Sequence, residues 1–200
     1  MVSATVSKYL NMFNKRQFLK LKNQTSMIFS SKFLKDLSTT ERYEFLQLCH
    51  RRKYNKGEYI FYQNDPGTGM YFIEEGSVEL IVTGNAPDNE VGDVSFKLEP
   101  PESFGALTIG YDLRRLSSAR CITNCTLLGF YNPDFETLKK RNPKVAVKFL
   151  ESVSTLAMSQ LERTVRELEA VTNTQNAFSI HFQTYYDRVD ESGENTNESD

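Results

Sequence analysis

Two textures divide the chain. From Tyr54 to Phe130, short apolar runs are broken every few residues by turn formers; on either side, apolar positions fall at helical spacing. Within the block, Tyr59-Ile60-Phe61-Tyr62 leads into Asn64-Asp65-Pro66-Gly67-Thr68-Gly69. Met70-Tyr71-Phe72-Ile73 runs into Glu74-Glu75-Gly76-Ser77, a hairpin turn, and then into Val78-Glu79-Leu80-Ile81-Val82. The polar stretch 83–93 reads as a loop and Val94-Ser95-Phe96-Lys97-Leu98 as another strand. Residues 119–130 supply at least one more, with Asn124 near a turn. Many short strands at this spacing predict an antiparallel sandwich or barrel.

Helices flank the block. Ser38-Thr39-Thr40-Glu41 is a capping box, and Phe45, Leu46 and Cys49 then recur at helical spacing, which predicts a helix over 39–50. Pro133 opens a helix to about Lys140, and Asn142-Pro143 breaks it. A long helix follows over 143–171, with Leu150, Val153, Ala157, Leu161, Leu168 and Val171 in one narrow stripe. Such a stripe suits a homodimer seam through 143–171, or packing on the helix's own domain. Phe178, Ile180 and Phe182 alternate beyond it, as an extra strand or an arm. The expected divisions are a basic helical segment over 1–32, a β domain over 33–142, the long helix over 143–171 and a polar to acidic tail over 172–200.

Charge changes this picture at the ends. The first 35 residues carry Lys8, Lys15, Arg16, Lys20, Lys22, Lys32 and Lys35 and no acid. Residues 190–200 carry Asp190, Glu191, Glu194, Glu198 and Asp200 and no base. The basic segment is read as a helix packed on the domain in preference to a membrane-surface helix. The net charge of −2 gives no global push toward nucleic acid, and the acidic end opposes duplex binding. The tail is also too short for a helix-turn-helix module. Cys49, Cys121 and Cys125 form no CxxC pair and suit a reducing compartment. With no apolar run of membrane length, a cytoplasmic protein is expected. His50 and His181 have no neighbours at metal-ligand spacing, so no metal site is expected. No catalytic constellation emerges, which implies a protein that is not an enzyme.

The candidate chemistry lies in Phe104-Gly105-Ala106-Leu107-Thr108-Ile109, followed by Arg114, Arg115, Leu116, Ser117 and Ser118. A glycine turn opening a short helix presents free N–H groups to an anion, and a basic residue on the returning strand neutralises it. Arg114 and Arg115 are a phosphate clamp or two solvated loop charges. Ser117 and Ser118 contact ligand or simply fit a strand turn.

In this order, with Gly57-Glu58-Tyr59-Ile60, Met70 through Val78, Phe104 through Leu107, Arg115 through Ser118 and Asn124 through Phe130, the chain over roughly 33–170 resembles the cyclic nucleotide-binding domain family. That family includes bacterial catabolite regulators, kinase regulatory subunits and nucleotide-gated channels. The resemblance implies an α+β fold with an antiparallel β jelly roll between N-terminal helices and a long C-terminal helix. It also implies a cyclic mononucleotide, cyclic AMP or cyclic GMP, as ligand, with no further cofactor. Gly105 would make the tight turn, the amides after it would meet the phosphate, Arg115 would pair with it, and Ser117 and Ser118 would sit beside phosphate and base.

The departures define the question. Ala106 stands where the family has a glutamate that accepts from the ribose 2′-hydroxyl; losing such a bond costs roughly 1.5–3 kcal/mol, or about 10- to 150-fold in Kd. Arg114 replaces the usual proline, which permits a one-residue shift in which it is the inward arginine. Asn64 and Pro101 stand at glycine positions, and Leu116 is bulky enough to crowd the pocket. The resemblance thus implies a stand-alone cyclic nucleotide receptor without a DNA-binding output, its affinity weakened or altered by Ala106, acting on an unidentified protein partner. The alternative is a degenerate, ligand-free domain serving as a dimeric interaction module.

Overall fold

The computed structural model describes residues 27–83 and 94–181; the basic stretch 1–26, the predicted 83–93 loop beyond Thr83 and the acidic end 182–200 lie outside the described residues. The element order is α1 (Thr39–Leu46), β1 (His50–Tyr54), β2 (Tyr59–Phe61), β3 (Gly69–Glu75), β4 (Val78–Val82), β5 (Val94–Leu98), β6 (Ser103–Phe104), a 3₁₀ turn (Ala106–Thr108), β7 (Ser118–Cys121), β8 (Cys125–Tyr131), α2 (Asn132–Arg141) and α3 (Pro143–Val171). The chain divides into two compact units after Val153.

In the first unit the strands form two antiparallel sheets, β1-β8-β3-β6 and β2-β7-β4-β5. This is the α+β jelly-roll architecture with a long C-terminal helix that the sequence predicts. Alternation along each strand assigns its faces. Tyr71 and Ile73 of β3, Leu127 of β8, Val78 of β4, and Ala119 and Cys121 of β7 turn inward and build one core between the sheets. Phe72 and Phe130 fall on the opposite face of the first sheet. There they meet Phe45 of α1, with centroids 5.8 and 4.4 Å away, and Phe149 of α3 stacks on Phe45 at 5.4 Å. Phe33 and Phe135, each 5.6 Å from Phe149, complete the aromatic centre of a second core.

Local chemistry explains where elements start and stop. Ser38 Oγ accepts from the Glu41 N–H at 3.4 Å, and the Glu41 carboxylate accepts from the Ser38 N–H at 2.7 Å, so the capping box is real. The helix it opens ends at Leu46, short of the predicted 50. Leu48 and Cys49 donate instead to Phe45 and Leu46 carbonyls in a tightened last turn, and the chain enters β1 at His50. The stretch His50-Arg51-Arg52-Lys53-Tyr54 has no apolar alternation, so its strand pairing leaves no mark in the hydrophobic pattern. The run over 119–130 resolves into two strands, β7 and β8, in different sheets. Between them Thr123 Oγ1 accepts from the Ser77 N–H and Asn124 Oδ1 from the Lys56 N–H, both at 2.9 Å. Cys121 and Cys125 are buried free thiols.

The second unit begins within α3. Its described part comprises the rest of that helix and a further helix over 174–181, where Asn173 Oδ1 accepts from the Asn176 N–H at 2.8 Å. Phe178 and Ile180 are therefore helical and not part of a strand or arm; Phe182 lies outside the described residues. Ala177 is buried and Arg166 holds Glu162 across one turn at 2.8 Å. Among the described residues, no helix is long and apolar enough to cross a membrane.

Candidate ligand-binding site

Gly105 sits at φ +80°, in the left-handed region, and opens the 3₁₀ turn Ala106–Thr108. Glycine adopts this conformation without steric cost. Space adds a second reason: a Cβ on Gly105 would stand 2.5 Å from Nη1 of Arg115. The turn and the guanidinium therefore share one place in the fold. The first amides of such a turn have no acceptor within it.

Arg115 is only 4% exposed. Its Nη2 donates to the Gly69 carbonyl at 2.7 Å, and its Nη1 to Thr108 Oγ1 at 3.3 Å and to the Gly105 carbonyl at 3.5 Å. The Phe61 ring lies over the guanidinium, 4.1 Å from Cζ to centroid. Nε has no partner. Burial pulls the guanidinium pKa down, against the opposing influence of Tyr71 and Asp65. An arginine stays charged even so. None of its hydrogen-bonding partners is an anion. Burying a charge costs several kcal/mol unless a counter-charge recovers it; here the direct contacts are neutral acceptors and an aromatic face, and Asp65 acts only through space, as the smallest influence.

The backbone around Arg115 is laced to the loop after β2. Arg115 N–H donates to the Asp65 carbonyl at 2.9 Å, and the Arg115 carbonyl accepts from the Asn64 N–H at 2.8 Å. Asn64 takes φ +68°, which accounts for an asparagine at a glycine position, since asparagine tolerates the left-handed region better than most residues.

The structure resolves the arginine pair. Arg114 is exposed and donates to the Asn64 carbonyl at 2.8 Å, while Arg115 turns inward; the one-residue shift does not occur. Leu116 is 81% exposed and crowds no cavity, which corrects the expectation drawn from its bulk. Phe104 and Ala106 are buried, and Leu107 and Ser117 half-buried. Ser118 belongs elsewhere. It pairs with Ile81 on the outer face of the second sheet, its Oγ accepting from the Gln63 N–H at 2.9 Å. With Tyr59, Tyr62, Glu79 and Arg120 it lines an outer groove of about 410 Å³. Strand alternation explains this: Ala119 is inward, so Ser118 is outward. Pro101 lies in the turn before β6.

Sequence reasoning missed two features. Gly69, Thr108 and Phe61 are the groups that hold Arg115. The inner face of the second sheet also runs out past its core. Leu80 packs inward, and its partner Phe96 shares its face, as do Val82 and Val94, which oppose one another two residues on. Phe96 is 58% exposed, and Val82 and Val94 are exposed too. The β4–β7 ladder ends at Ile81↔Ser118, so Val82 and Ser117 are the next residues beyond it, toward Arg115. Val82, Val94 and Phe96 therefore form an exposed apolar wall at the outlying end of this inner face. The 2.0 period of the strands marks these positions, but only the pairing puts them on one face.

The site is thus a glycine-opened turn backed by a buried arginine on a jelly roll. Residues 51–142 match the family model of the cyclic nucleotide-binding domain, and this part of the chain belongs to that family of regulatory domains. The cyclic AMP receptor protein of Thermus thermophilus is 32% identical over 101 residues, 50% of this chain and 45% of that protein. The cAMP-dependent protein kinase type II regulatory subunit of Drosophila melanogaster is 29% identical over 116 residues, 58% of this chain and 30% of that one. The crystal structure of the Thermus thermophilus catabolite activator protein superposes with a TM-score of 0.62 at 26% identity, covering 71% of this chain and 63% of the other. The chain thus spans less than half the length of these curated relatives.

Proposed function

We propose that this chain is a regulatory, non-catalytic receptor for a cyclic mononucleotide, cyclic AMP or cyclic GMP. One observation carries the reading: Arg115 is a buried cation with no anion among its hydrogen-bonding partners. A cyclic phosphate beside Gly105 supplies the missing charge, and the Val82, Val94 and Phe96 wall suits a purine. Phe104, Gly105, Ala106, Leu107, Arg115 and Ser117 form the site; Arg114, Leu116 and Ser118 stand outside it. Ala106 offers the ribose no acceptor, so affinity is weak.

The site has a route to the helices. The Gly110 N–H at the end of the cassette donates to Asn132 Oδ1 at 3.2 Å, at the start of α2. Phe135 of α2 in turn packs on Phe149 of α3. A ligand that favours one position of the cassette shifts the population of α2 and α3 positions, and a protein partner reads the change. The exposed Met158, Leu161 and Val171 on α3 support a homodimer through that helix, which light scattering tests directly.

Isothermal titration with cyclic AMP and cyclic GMP tests the ligand. Binding in the range of about 10 µM to 1 mM is expected. Silence toward both at millimolar concentration overturns the receptor reading and leaves a ligand-free interaction module, which Ala106 and the Phe61 cap over Arg115 would then explain.

A further inference from the structure

β1 is an edge strand: among the described residues it pairs with β8 on one side and with no strand on the other. Its ladder is regular over all five residues, without a bulge. The other edges differ. β6 is two residues long, and β2 has three residues and a register break, both poor templates for an added strand. β5 equals β1 in length but carries Lys97 alone as charge. An open, regular edge of this kind leaves a row of N–H and C=O groups able to pair with an extended chain.

The side chains along this edge are cationic. His50, Arg51, Arg52 and Lys53 are all exposed, and exposed Lys56 follows. Arg51 is held by Glu74 at 2.7 Å and His50 by Asp134 at 3.0 Å. Arg52 lies over the Tyr131 ring at 5.6 Å. Among the described residues, Arg52, Lys53 and Lys56 have no carboxylate partner. By alternation His50 and Arg52 lie on one face of the sheet and Arg51 and Lys53 on the other, so positive charge flanks the edge on both sides. A duplex or a membrane would meet one face only. An incoming strand, whose own side chains alternate, meets both.

We propose that the β1 edge is a docking site for an extended acidic segment of a partner protein, added to the first sheet as an antiparallel or parallel strand. The same charges repel β1 of a second copy, which selects the occupant by sign. This inference is independent of whether the nucleotide site is functional.

The test uses the full chain and a short fluorescent peptide of alternating glutamate and threonine, followed by anisotropy. Three controls accompany it: a lysine–threonine counterpart, an acidic counterpart with prolines at alternate positions, and a single-stranded thymidine oligonucleotide. Binding of the acidic peptide that weakens at high salt, is at least about tenfold weaker with prolines, and falls about tenfold in Lys53→Glu supports the proposal. Among the described residues Lys53 has no carboxylate partner to lose, and a denaturation curve confirms that its variant folds. Independently, alternate amides of His50–Tyr54 in the unaltered chain should gain hydrogen-exchange protection with peptide. Equal binding of the acidic and proline peptides would overturn strand addition. An oligonucleotide that binds as tightly as the acidic peptide would reassign the edge to nucleic acid. No binding at millimolar peptide would leave the charges as a guard against self-pairing and sink the proposal.

Discussion

The two faces of the first sheet are built on opposite principles. On the helix side, Phe33, Phe45, Phe72, Phe130, Phe135 and Phe149 interlock ring on ring. Toward the cassette, Phe61, Tyr71 and Phe104 also stack, yet they share their space with the charged Arg115. The first region gains stability from every contact it makes. The second gives some up, because a buried guanidinium met only by carbonyls, a hydroxyl and a ring is less well solvated than in water. A fold tolerates that cost where the group has another task. The comparison therefore separates residues that hold the domain together from those on which the proposed ligand site rests.

The largest expected effect breaks the aromatic side alone. Phe45→Ala should destabilise the domain by about 3–5 kcal/mol in urea denaturation, because the three rings around it, Phe72, Phe130 and Phe149, cannot close the gap. Nucleotide affinity of the fraction that stays folded should be unchanged. On the cassette side the effects appear in binding. Ala106→Glu restores an acceptor for the ribose and should tighten cyclic nucleotide binding by about 1.5–3 kcal/mol, roughly 10- to 150-fold by calorimetry. No gain would mean that the ribose does not lie against residue 106.

These variants follow from features of unequal legibility. The capping box at Ser38 and the strands β3 and β4 show in the sequence because their causes are local: a hydroxyl and a carboxylate three residues apart, and apolar runs ending at turns. β1 leaves no such trace, since four of its five residues are polar and their partners lie far along the chain, from His50↔Gly129 to Tyr54↔Cys125. The cassette was legible as Gly105 followed by a basic residue. Which arginine faces inward was not, because a one-residue slip inverts every side chain and only the lacing of Asn64 and Asp65 to Arg115 sets the register. For the same reason Ser118 passes for a ligand contact until its pairing with Ile81 turns it outward. The exposed Phe96 wall exists only once β5 is paired with β4.

Two smaller effects sharpen the contrast. Gly105→Ala forces a side chain into positive φ and against Arg115 Nη1, and should cost about 1–2 kcal/mol of stability in denaturation, with a parallel loss of nucleotide affinity. A stability loss without a binding loss would uncouple the turn from the guanidinium. The smallest effect lies at the capping box. Glu41 is held by Lys148 at 2.8 Å, and this pair, with the Ser38 N–H, lowers its pKa from 4.5 to about 2. A carboxyl pKa lowered in the folded state stabilises the fold above pH 4.5 and loses that contribution as pH falls from about 4.5 toward 2. Allowing for partial exposure, the contribution is about 1 kcal/mol. Denaturation midpoints of Lys148→Met and the parent chain should therefore converge over that window; a constant gap would assign the effect to packing.

The central claim is that Arg115 exists for an anion and not for stability, and paired measurements on Arg115→Met test it most directly. The account predicts that the variant is as stable as the parent or more so in denaturation, and that calorimetric binding of cyclic AMP and cyclic GMP is lost or weakened by about 100-fold. A variant that unfolds readily, or one that binds nucleotide as the parent does, would contradict it.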